Sequence, residues 1–155
     1  MNKTAAYTVI FLMMCVVPAV FAQQPLMVHD AWVRPAPPGA KVLAAYMIIM
    51  NGSAEQRALT MVSCSLFDRV EIHRTEMQEG MMKMIPQERL TVPAGGSVTL
   101  EPGGFHLMLI GPKSVPKQGE EVDMEFHFDN GQALHLKVPV RAGGDKGGMM
   151  EHGHH

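Results

Sequence analysis

Between residues 28 and 140 no stretch of about 10 to 15 residues keeps a helical period, and this absence constrains the fold most. Short runs rich in Val, Ile, Leu, Tyr and Phe alternate instead with Pro/Gly punctuation. Residues 28–33, 41–50, 57–63 and 69–75 read as strands, as do 97–101 and 105–110. Residues 81–85 and 88–92 read as two short edge pieces separated by Pro86. Asn51-Gly52, Pro93-Ala94-Gly95-Gly96, Pro102-Gly103-Gly104 and Gly111-Pro112 supply the turns. Residues 121–128 and 133–140 form the last hairpin, with Met124, Phe126 and Phe128 on one face and Leu134, Leu136 and Val138 on the other strand's matching face. Setting Phe128 opposite Leu134 calls for a three-residue loop or a bulge in which Gly131 takes positive φ, and it leaves His127 and His135 pointing outward. Many short strands without crossover helices predict an all-β sandwich or barrel.

The ends differ from this middle. Lys3, an apolar run from about Ala5 to Val17 and Val20-Phe21-Ala22 read as a secretory signal over residues 1–22, cut after Ala22. The run is short for a spanning helix and Pro18 interrupts it, so no stable membrane insertion is expected after cleavage. Cys15 belongs to the signal core, which leaves Cys64 alone and excludes an internal disulfide in the exported chain. Its neighbours Met61-Val62-Ser63 predict a small buried hydrophobe. Residues 23–142 suffice for one domain with one core. Residues 143–155 carry glycine pairs and then Met149, Met150, His152, His154 and His155, with no core-forming pattern. The formal net charge is −2, more negative once Lys3 is gone, and no basic run is present; nucleic-acid binding is not expected.

Four soft or borderline donors remain to be explained: His73, Met84, His106 and Met108. Thioether sulfur selects Cu(I), and imidazole suits copper in either common state. Thioethers stay neutral and cannot be lost to disulfides in an oxidising compartment. Zinc would be better served by thiolates, carboxylates or more histidines. His106 and Met108, one residue apart on a strand, project to the same side about 7 Å apart. In residues 69–75, His73 falls on the polar side with Glu71. A loop with Met77, Met81 and Met82, spare or competing ligands, connects His73 to Met84. The tail's Met149, Met150, His152, His154 and His155 form a candidate second site for Cu(II). No nucleophile elbow, Walker loop, dinucleotide fingerprint or His-Glu-x-x-His is found, so no enzyme is expected.

Ten residues separate His73 from Met84, twenty-one separate Met84 from His106, and Met108 completes His-x-Met. This spacing resembles that of the periplasmic copper chaperones of PCuAC type. Ala31-Trp32-Val33-Arg34-Pro35, Val70-Glu71-Ile72-His73 and Leu100-Glu101-Pro102-Gly103-Gly104-Phe105-His106-Leu107-Met108 also resemble that family, over roughly residues 28–140. The resemblance implies a cupredoxin-like β-sandwich and a Cu(I) centre of His73, Met84, His106 and Met108. It also implies a periplasmic protein that delivers copper to a respiratory oxidase copper centre, and so serves cytochrome c oxidase assembly, or to a partner chaperone; a monomer is the simpler expectation. Two other readings compete. An electron-transfer cupredoxin would need a cysteine beside two histidines, with Cys64 the only candidate. A structural β-sandwich would bind metal only incidentally.

Overall fold

The computed structural model describes residues 25–143. The ten strands are β1 (Leu26–Val33), β2 (Val42–Asn51), β3 (Arg57–Ser63), β4 (Phe67–Gln78), β5 (Met81–Gln87), β6 (Leu90–Val92), β7 (Ser97–Leu100), β8 (Phe105–Pro112), β9 (Glu121–Phe128) and β10 (Ala133–Pro139). They form a six-stranded sheet ordered β1-β2-β7-β8-β4-β5 and a four-stranded sheet ordered β10-β9-β3-β6. Alternation along the strands supplies the core between the sheets. Leu43, Ala45, Met47 and Ile49 of β2, Leu107 and Leu109 of β8, and Met124 and Phe126 of β9 are buried there. Two of the chain's many methionines, Met47 and Met124, are therefore core residues. Among the described residues no helix is long and apolar enough to cross a membrane.

Several strands run longer than their local sequence predicts, because pairing extends them. β8 pairs one edge of β4 as far as Arg74, and β5 pairs the other edge and carries the strand to Gln78. Pro86 does not separate two pieces but lies inside β5, opposite His73. It is tolerated there because β5 is an edge strand, where a missing N–H breaks no inner ladder. Met77, Met81 and Met82 do not sit in a loop either: Met77 is in β4 and the other two are in β5. The connection is the two residues Glu79 and Gly80, both at positive φ (50° and 77°), the geometry that matches the twist of a hairpin.

Asn51-Gly52 is not a tight hairpin turn. β2 and β3 lie in different sheets, and Asn51 is buried where the chain crosses between them. Its side-chain amide donates to the carbonyls of Glu55 and Val92, and its Oδ1 accepts from the Ser53 N–H and hydroxyl. In the last hairpin Asp129, Asn130 and Gly131 do form a three-residue loop, with Gly131 at φ 81°. The register differs from the expected one, however. Phe126 faces Leu134 and Met124 faces Leu136, because a three-residue loop leaves Phe128 opposite Gln132. Both apolar faces still meet the core. Cys64 is only half-buried, since it follows the end of β3 rather than lying within it.

Candidate metal centre

His73 and His106 face each other directly across β4 and β8. In the same ladder Glu71 faces Met108, and in the β4–β5 ladder Thr75 faces Met84. Residues two apart on a strand share a face. The register therefore gathers His73, Met84, His106 and Met108 on the outer face of the six-stranded sheet, the side opposite Ile72, Leu107 and Leu109. Sequence spacing alone could not bring Met84 to this point; the hairpin does so by folding β5 back along β4.

Although they lie on the outer face, both imidazoles are buried, His73 at 7% and His106 at 4% relative exposure. The polar strand face expected for His73 is thus covered. The proline-bearing connection after β1 borders His106 on this face. Arg34, Pro35 and Ala36 line a groove of about 230 Å³ together with Val42, Leu43 and Ala44 of β2 and with Met84, His106 and Met108. Met108 is half-buried, while Met84, on the edge strand, is 59% exposed.

The hydrogen bonds determine which nitrogen of each ring is available. His73 Nε2 lies 2.8 Å from a Glu71 carboxylate oxygen. That oxygen only accepts, so Nε2 carries the proton, and in the neutral ring Nδ1 is a bare lone pair. His106 Nδ1 lies 3.2 Å from the Gly104 carbonyl, which also only accepts. His106 Nε2 is therefore the second bare lone pair. These two atoms, His73 Nδ1 and His106 Nε2, are the buried side-chain polar atoms that find no hydrogen-bond partner among the described residues. Unpaired buried acceptors are costly, so both nitrogens are open to a ligand. The ring centroids are 5.9 Å apart. A first-row metal about 2.0 Å from each nitrogen would allow at most roughly 6.4 Å, so a single ion can bridge the pair.

Glu71 is a residue that spacing arithmetic overlooked. Arg69, Glu71 and His73 follow at i, i+2 and i+4 along one face of β4. Arg69 Nε donates to one Glu71 oxygen at 2.7 Å, and His73 takes the other. The hydrogen bond from His73, followed by that from Arg69, holds the Glu71 carboxyl below its ordinary range. A carboxylate behind a metal-binding histidine orients the ring and raises its basicity. The Glu-x-His alternation on a predicted strand was the available signal. Cys64, by contrast, opens onto a different groove, with Ser63, Ser65, Asp123, Glu125 and His135. That leaves an electron-transfer copper site without its thiolate. His127 and His135 face outward as expected, His127 within 3.6 Å of Glu125. The tail residues Met149, Met150, His152, His154 and His155 and the signal over 1–22 lie outside the described residues.

The LpqE-like family model, a lipoprotein family by its description, matches residues 26–140. The chain belongs to the LpqE-like family. Lxx21020 of Leifsonia xyli subsp. xyli is 29% identical over 115 residues, 74% of this chain and 68% of that one. Among solved structures, the Cu(I) form of DR1885 from Deinococcus radiodurans is 30% identical, with a TM-score of 0.61, covering 79% of this chain and 83% of that one. The copper-bound PCuAC domain of PmoF2 superposes with a TM-score of 0.66 over 79% of this chain and 97% of that domain, at 20% identity. This LpqE-like chain therefore has the cupredoxin-like β-sandwich of the PCuAC-type domains.

Proposed function

We propose that this chain is an extracytoplasmic copper carrier that binds Cu(I) through His73, Met84, His106 and Met108. The observation that carries the reading is the pair of buried, unpartnered imidazole lone pairs, held bare by Glu71 and the Gly104 carbonyl. Two thioethers on the same sheet face make the donor set soft, which favours Cu(I) over zinc. The Cu(I) form of DR1885, 30% identical, supports the same ion. Met84, on the edge strand and the most exposed of the four, is the ligand that an incoming acceptor displaces first.

The acceptor we infer is a copper-accepting oxidase subunit or another copper chaperone, met in the periplasm by a monomeric carrier. Cu(II) on Met149, Met150, His152, His154 and His155 belongs to the same proposal. The deciding experiment is an anaerobic Cu(I) titration against a competing chelator, comparing chains ending at Arg141 with and without the His106→Ala/Met108→Ala pair. One tight equivalent lost in the variant supports the reading, and equal weak binding in both overturns it. Repeating the titration with Cu(II) on chains ending at Arg141 and at His155 tests the tail.

A further inference from the structure

Met77, Met81 and Met82 take no part in the centre described above, yet they are among the most exposed large apolar side chains of the described residues. The β4–β5 register divides them. Met77 and Met82 are directly opposite each other, on the same face as the Thr75–Met84 pair and the His73–Pro86 pair. Met81 pairs with Gln78 and points to the other face. From the hairpin tip inward, that outer face therefore reads Met77 with Met82, then Met84, then His73, with His106 alongside on β8. Resting on the copper reading above, we propose that Met77 and Met82 form a second, weaker Cu(I) site at the hairpin tip, from which the ion passes through Met84 to His73 and His106.

Geometry and chemistry agree on this. Directly opposed residues in an antiparallel pair have Cβ atoms about 4.5–5.5 Å apart. Each methionine has three rotatable bonds, so the two sulfurs can converge on one ion. Met77 and Met82 are 66% and 61% exposed, which leaves their sulfurs accessible to an arriving ion and uncommitted to packing. Strand propensity does not explain them, since an edge strand favours β-branched or charged residues over long unbranched apolar ones. The donors are all thioethers, a set that selects a soft monovalent ion and discriminates against zinc or calcium. Among the described residues no group of three or more His, Cys, Asp or Glu offers a harder site.

The tip pair lies four residues from His73 along β4, roughly 14 Å, too far for one ligand set to span. Met84 lies halfway. Transfer is ligand exchange at constant oxidation state. The bonds to Met77 and Met82 sulfur break as the bond to Met84 sulfur, and then those to His73 Nδ1 and His106 Nε2, form. No proton leaves, because both nitrogens already present lone pairs. Imidazole donates more strongly than thioether, so the sequence runs inward during loading.

The test is methyl NMR of the full chain labelled at methionine, titrated anaerobically with Cu(I) supplied as its acetonitrile complex. The expected result is that Met84 and Met108 respond to the first equivalent and Met77 and Met82 respond together to the second, with Met81 silent. In Met77→Leu/Met82→Leu, both substitutions exposed and close to isosteric, the second response disappears and the first remains. Loading of the centre from a chelator then slows about tenfold or more, as local capture is lost. Silence of Met77 and Met82 while Met84 and Met108 respond overturns this inference and leaves the carrier reading intact. A Met81 response equal to theirs also overturns it, as indiscriminate thioether affinity. Silence of Met84 and Met108 refutes the carrier reading itself, and the hand-off with it.

Discussion

Glu71 provides the sharpest test of how the centre is organised. Its carboxylate holds the His73 Nε2 proton at 2.8 Å and is itself held by Arg69 at 2.7 Å. Removing it in Glu71→Ala frees the imidazole to move its proton to Nδ1, the atom that binds in the proposed centre. Partners of this kind are worth about 10- to 100-fold in metal affinity. The Glu71 side chain is 34% exposed, so water screens part of its charge and the low end applies: about tenfold weaker Cu(I) binding. Glu71→Gln keeps one acceptor oxygen for His73 but replaces the oxygen that accepts from Arg69 with an NH2 donor and removes the charge, so its expected loss is smaller than that of the alanine variant. Chelator competition at neutral pH measures both, and nitrogen shifts of the apo protein report which His73 nitrogen is protonated. Affinity in Glu71→Ala equal to that of the wild type, or a wild-type apo ring protonated at Nδ1, would refute the argument. The lowered Glu71 pKa also fixes a sign. The stability Glu71 contributes is complete above the ordinary carboxylate range and is lost as pH falls through the lowered value. The gap in apo stability between wild type and Glu71→Ala should therefore close in acid.

Three further outcomes follow from the structure. In His106→Leu the unpaired Nε2 is removed from its buried position, so apo stability stays near wild type while the copper-induced rise in melting temperature vanishes. For the wild type, free Cu(I) at about a hundred times Kd contributes about 2.7 kcal/mol, roughly 10 °C for a domain of this size, and a similar rise in the variant would count against His106. Gly111 sits at φ 68° and a Cβ there would run into the Asp68 carboxylate, so Gly111→Ala should cost about 1–3 kcal/mol by urea unfolding. Adding Asp68→Ala should recover only part of this, because the backbone strain remains; full recovery would show that the φ does not matter. Burial pushes the Cys64 thiol up, so in a chain beginning at Gln23 alkylation at mildly alkaline pH should be slower in the folded protein than in urea. The matching stability is complete below the ordinary thiol pKa and lost as pH rises through the raised value, and equal alkylation rates in both states would contradict the burial.

How much of this was legible in the sequence depended on range. Alternation and turn residues are local, so the strands around Arg57–Ser63 and Glu121–Phe128 could be read directly. Register is not local. Nothing in the residues after Phe128 reveals that Leu134 will face Phe126, and nothing after Thr75 reveals that β4 continues to Gln78 because β5 folds back to pair with it. The donor spacing was legible as a pattern, but the way it assembles was not. His73 meets His106 only through the β4–β8 ladder, and Met84 joins them only through a hairpin closed by Glu79 and Gly80 at positive φ.

The burial of His73 is instructive because the alternation rule that placed it held. Strand alternation did assign it to the face opposite the core. That face is wet only where nothing packs beside it, and on the His106 side Arg34, Pro35 and Ala36, far away in sequence, line the same groove. A histidine that alternates as a surface residue, is buried as a core residue and keeps one nitrogen unpaired satisfies neither role as a purely structural element. Conflicts between local pattern and tertiary environment concentrate at functional sites. Here the conflict occurs twice, at His73 and at His106, on residues that face each other across one ladder. A single structural accident would leave one orphaned nitrogen. Two, each with its proton held on the far side of its ring, are what the proposed copper centre accounts for together.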